Sequence, residues 1–135
     1  MPSVEYFAGH FDGEGCLDMG RHSNGWRLRA AVKVCHLPVL EYYKATFGGT
    51  VRQRPGGAKN KMLWDWSLRN QPQLLSFLEA IEPFSLEKKP QILVAIQWLR
   101  ARQAFPKYHV PRTFIDYGNQ CAAELSRLKR FSPYP

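Results

Sequence analysis

From Trp26 to Cys35 the chain alternates without a break: Leu28, Ala30, Val32 and Val34 hold the even positions, while Arg27, Arg29, Ala31 and Lys33 hold the odd ones. Successive side chains of a β-strand point to opposite faces, so this segment has one wholly apolar face and one cationic face. The apolar face needs a core. The cationic face needs solvent or an anion.

The flanking segments extend the pattern. Residues from Cys16 to Arg21 also run with a period of two, and Ser23-Asn24-Gly25 between the two runs is a hairpin turn signal. A second hairpin is predicted from Thr50–Arg54 and Lys61–Arg69 around the turn-rich PGGAKN, with Arg52 and Arg54 alternating with Val51. Trp64, Trp66 and Leu68 share one face of its second strand, which favours a core role over base stacking.

Helical periods fill the remainder. A short helix over residues 3–12 has Ser3 as its N-cap, places Val4, Phe7, Ala8 and Phe11 on one face, and is expected to stop at Gly13 and Gly15. Pro38 starts a helix through Val39, Leu40, Tyr43 and Phe47 that Gly48-Gly49 ends. Further helices are expected over Pro72–Ile81, from Lys89 through Leu99, and over Thr113–Arg130, with Gly118 a weak point in the last. The order αββαββ followed by three helices describes an α+β domain whose antiparallel sheet carries helices on one face. At 135 residues this is one domain.

Charge marks the other face. Nineteen Lys and Arg against eleven Asp and Glu leave +8. Between Arg21 and Lys61 lie nine basic residues and one acid, Glu41, so this stretch carries the whole excess. A polyanionic partner is expected. No apolar run is long enough to span a bilayer, and the N-terminus lacks the basic start of a secretion signal, so a soluble chain without a membrane or small-molecule partner is expected. Three widely spaced cysteines with no CxxC pair argue for a reducing compartment rather than for disulfides or zinc.

The first helix ends in FAGHFDGEG, residues 7–15, which resembles the LAGLIDADG motif of homing endonucleases, six of nine positions matching in letter or conservative substitute. GGTVRQR at 48–54 and PFSLEKKPQ at 83–91 are similar to that family's helix-to-strand turn and to its lysine-bearing segment. The resemblance implies an αββαββα fold with a saddle-shaped antiparallel sheet, a core of about 3–104 and a C-terminal helix of about 113–130. A single motif implies a homodimer joined through this helix at Ala8, Gly9, Asp12 and Gly13. Gly9 and Gly13, four apart, lie on one helix face where a partner backbone can come close.

The resemblance also assigns chemistry. Glu14 takes the position of the family's metal-binding acid, with the Gly15 carbonyl as a further ligand. Two copies of Glu14 about 4 Å apart would repel by about 4 kcal/mol at an effective dielectric near 20, a penalty a divalent cation removes. Hard oxygen ligands favour Mg²⁺, with Mn²⁺ able to replace it. Lys88 stands at the spacing of the family's catalytic lysine, with Lys89 as the competing assignment. His36 falls roughly where the family has a residue contacting the nucleophilic water. Asp12 is the motif's structural acid, and His10 replaces its usual apolar fourth residue. Arg21, Arg27, Arg29, Lys33, Arg52, Arg54, Lys59 and Lys61 are the expected DNA contacts. The implied activity is sequence-specific double-strand cleavage of a long pseudo-palindromic duplex, as in intron homing; the alternative is an inactive DNA-binding relative or an RNA maturase.

Overall fold

The computed structural model describes residues 1–23, 25–55, 62–106 and 109–130. Helix α1 (Val4–Glu14) leads into the hairpin of β1 (Gly15–His22) and β2 (Gly25–Val34). Then follow α2 (Leu37–Phe47), β3 (Thr50–Arg54), β4 (Leu63–Leu68) and α3 (Gln71–Ile81). A short 3₁₀ turn (Glu82–Phe84) joins α3 to α4 (Lys89–Arg102), and α5 (Arg112–Arg130) closes the fold.

Local chemistry sets these boundaries. The Ser3 hydroxyl accepts the Tyr6 N–H at 3.1 Å to cap α1, and Asn70 does the same for α3 through the Gln73 N–H at 3.0 Å. Contrary to the sequence expectation, α1 does not stop at Gly13: it runs through Glu14, and the Gly15 N–H closes its last turn on the Phe11 carbonyl. The turn after α2 does need glycines. Gly48 and Gly49 have φ of 90° and 94°, and a Cβ at Gly49 would lie 2.5 Å from the Ser67 carbonyl oxygen.

All four strands are antiparallel, in the order β1-β2-β4-β3. β4 pairs with β2 only from Ala30 onward. Past that point the Gln71 carboxamide stands in for a strand, accepting from the Leu28 N–H at 3.3 Å and donating to the Leu28 carbonyl at 2.9 Å.

Leu17, Leu28, Ala30, Val32, Trp66 and Leu68 turn inward from the sheet to meet the helices. At the centre Tyr43 lies 4.8 Å from Phe7 and 4.6 Å from Trp66, and Phe77 lies 5.2 Å from Phe11 between ring centroids. Trp66 and Leu68 are core residues, as their shared strand face suggested, and the Trp66 indole N–H is satisfied by the Gly48 carbonyl at 2.8 Å. Gly118 does not interrupt α5. A Cβ there would come 2.3 Å from Trp26, so the glycine lets the helix lie against the β1–β2 hairpin. Among the described residues no helix is long and apolar enough to cross a membrane.

Candidate nucleic-acid interface and catalytic centre

Cross-strand register decides which side chains share the open face of the sheet. Arg27 and Arg29 face Gly20 and Asp18 of β1, Lys33 faces Asp65 of β4, and Arg52 of β3 faces Asp65 from the other side. Arg27, Arg29, Lys33, Arg52 and Arg54 therefore form one cationic surface, with Arg27, Lys33, Arg52 and Arg54 well exposed. Arg21 does not join it. It occupies the inward alternation of β1 with Leu17 and Met19, and at the strand's end its guanidinium lies over the Trp26 ring, 5.8 Å from the centroid. Lys59 and Lys61 lie outside the described residues.

Two acids on this face were not foreseen. Arg29 Nη2 donates to Asp18 Oδ2 at 2.7 Å, and Lys129 of α5 reaches Asp18 Oδ1 at 3.0 Å. Arg54 Nε forms an ion pair with Asp65 Oδ2 at 2.9 Å. Burial works against the charge of Asp18, yet the hydrogen bonds from Arg29 and Lys129 outweigh it and hold the carboxyl at about 2. Both acids fall just outside the Arg21–Lys61 stretch, so a count along the chain passed over them. The alternations Cys16-Asp18-Gly20 and Leu63-Asp65-Ser67 carried the signal.

At the other pole, two acids two residues apart have opposite fates. Asp12 is buried. Its Oδ1 accepts from the Ser85 hydroxyl and from the Lys88 N–H at 3.0 Å, and its Oδ2 accepts from the N–H groups of Leu86 at 2.7 Å and Glu87 at 3.2 Å. These bonds overcome burial and hold its carboxyl below the ordinary range. Glu14, at the last position of α1, is exposed and makes no hydrogen bond or ion pair among the described residues. A carboxylate left open at a helix C-terminus lies against the helix dipole, so it gains from an external cation.

The segment that Asp12 grips delivers a lysine to the same place. Lys88 Nζ donates to the Asp12 carbonyl at 2.8 Å, on the last turn of α1, whereas Lys89 turns away to Glu82 at 3.7 Å. Glu14, Gly15 and Lys88 thus gather at one helix end. His36 is exposed at the N-cap position of α2, and its side chain accepts no helix N–H there. His10 is bonded through Nδ1 to the Tyr43 hydroxyl at 2.9 Å and stacks on Tyr6 at 5.8 Å. Burial lowers its affinity for a proton against the pull of Glu14, so it is neutral near pH 7.

The expected helix interface needs correction. Ala8 is completely buried with Phe7, Phe11 and Asp12 on the inward face of α1, and Asp12 is committed to its own chain. Gly9 and Gly13 face outward into open space, since a Cβ on either would meet nothing within 4 Å. Beside them Tyr6, Phe84 and Leu86 are exposed apolar side chains, Leu86 at 83%.

No family model matches the chain, and no curated protein matches it. Solved structures do. The homing endonuclease I-CvuI in complex with a DNA target superposes with a TM-score of 0.78 at 18% identity, over 98% of this chain and 85% of that one. The archaeal intron-encoded homing endonuclease I-Vdi141I, complexed with DNA, gives 0.76 at 19% identity over 98% and 88%. The homing endonuclease I-TnaI gives 0.72 at 21% identity over 96% and 95%. The α+β architecture found here is therefore the LAGLIDADG homing endonuclease fold, also seen in the meganuclease I-AabMI.

Proposed function

We propose that the chain is a single-motif LAGLIDADG homing endonuclease that acts as a homodimer and makes a sequence-specific double-strand break in duplex DNA. The observation that carries this reading is the C-terminal end of α1, where Glu14 is exposed and Lys88 Nζ is held on the Asp12 carbonyl at 2.8 Å, in a chain whose sheet presents a cationic face. Support for a second copy comes from the outward Gly9 and Gly13 and the apolar Tyr6, Phe84 and Leu86 around them. A pair of such helices would bring two copies of Glu14 together and double the cationic face along a pseudo-palindromic target.

Each part then has a chemical task. The sheet cations neutralise phosphates and read base edges in the major groove. Glu14 and the Gly15 carbonyl are hard oxygen donors that suit Mg²⁺. Held there by Glu14 and the Gly15 carbonyl, a divalent cation would supply water activation and stabilisation of the leaving oxygen. Lys88 holds positive charge where negative charge grows on the scissile phosphate, and the Asp12 brace keeps it there.

The test is Glu14→Gln beside wild type on a library of duplexes, with Mg²⁺ for cleavage and Ca²⁺ for binding. Cleavage is expected to fall at least about a hundredfold with binding retained. Equal cleavage by both proteins would refute the assignment of Glu14; binding without cleavage by wild type would favour an inactive DNA-binding relative, and a preference for structured RNA would favour a maturase.

A further inference from the structure

Asp65 is an odd residue to find on a surface that meets a polyanion. It lies on the open face of the sheet, yet it is only 4% exposed, with long cationic residues as its neighbours on three sides. Lys33 stands directly across on β2, Arg52 directly across on β3, and Arg54 Nε is ion-paired with Oδ2 at 2.9 Å. The other oxygen, Oδ1, is buried without a hydrogen-bond partner among the described residues, so the carboxylate has capacity for a further donor.

We infer that Asp65 is a positioning residue that aims the Arg54 guanidinium at a guanine edge, and so helps to set the base preference of each half-site. The inference rests on the DNA-binding role proposed above. Its chemistry lies in which nitrogen Asp65 takes. The ion pair is made at Nε, the inner nitrogen of the guanidinium, so both terminal nitrogens of the 48% exposed Arg54 have no partner among the described residues, and they are the pair of donors that matches O6 and N7 of guanine. An exposed ion pair would leave that fork mobile, whereas a carboxylate anchored in the sheet and shielded from water holds it. Asp65 itself is too covered to meet a cytosine amino group, so it acts through its arginine. Asp18 differs in engaging a terminal nitrogen of Arg29, which uses up part of that fork.

The experiment compares wild type, Asp65→Asn and Arg54→Lys in selections from randomised duplexes with Ca²⁺, which reports base preference apart from cleavage. Asp65→Asn is expected to lower the preference for guanine at one position per half-site about tenfold, while binding to non-cognate duplex stays equal or tightens because a negative charge has gone. Arg54→Lys, a change at an exposed side chain, is expected to lose the same position and keeps the test open if Asp65→Asn fails to fold. A merely structural role would lower thermal stability and leave the selected bases unchanged. Selection of the same bases with the same strength by all three proteins would overturn the inference about Asp65 alone. A wild-type chain with no base preference would overturn the DNA-reading role on which it stands.

Discussion

The open sheet face and the C-terminal end of α1 are both charged, and they are assembled on opposite plans. On the sheet each acid is committed: Asp18 to Arg29 and Lys129, Asp65 to Arg54. Cations remain in excess, so the surface looks outward for anions. At the helix end the acid nearest the surface, Glu14, is left open while its neighbour Asp12 takes up four donors from residues Ser85–Lys88. That end looks outward for a cation. In the function proposed above, the contrast separates holding a polyanion from acting on it.

The largest effect that tests this contrast should come from Asp12. Replacing it with Asn puts an amide N–H₂ among main-chain N–H donors, and a cost of about 3 kcal/mol is expected in urea unfolding. Loss under about 0.5 kcal/mol would show that the brace is not what holds the 85–88 segment. Lys88→Met is next. It should slow cleavage by about ten- to a hundredfold in single-turnover assays with affinity for duplex little changed, whereas Lys89→Met, which breaks only the exposed contact with Glu82, should stay within about twofold. Equal loss in both variants would break the distinction between the two lysines.

The smallest effect lies on the sheet. Asp18 has a folded-state value of about 2, below that of an unfolded aspartate, so its stabilising contribution is complete above about pH 4 and drains away as pH falls toward 2. Because its side chain is 39% exposed, screening keeps that contribution under about 1 kcal/mol. Asp18→Asn should flatten the acid limb of a stability–pH curve by that amount. An unchanged limb would show that its pairing with Arg29 and Lys129 adds nothing to the fold.

Much of this architecture is legible in the residues because local signals agreed. Period-two alternation located β2, Pro38 and the pair Gly48-Gly49 bracketed α2, and the motif at residues 7–15 located the helix end. The misreadings share a cause: faces were judged from short-range spacing when tertiary register decides them. Ala8 is next to Gly9 in the chain but about 100° away around the helix, on the side of Phe7 and Phe11. Arg21 counts as a cation in a basic stretch, but the β1 alternation puts it on the side of Leu17 and Met19, where it stays exposed and lies over Trp26. Asp65 sits between two tryptophans, and only the pairing of β4 with both β2 and β3 brings it under three cations. Nothing local could tell Lys88 from Lys89, because the choice is made by Asp12, 76 residues away.

The Gln71 carboxamide, bonded to both polar atoms of the Leu28 main chain, carries one more consequence. Where β4 ends, β2 would otherwise present an open strand edge, the kind of surface on which chains stack into aggregates. A single side chain caps that edge as a short false strand. The hairpin can thus project beyond its neighbour, lengthening the cationic face, without becoming a template for misassembly.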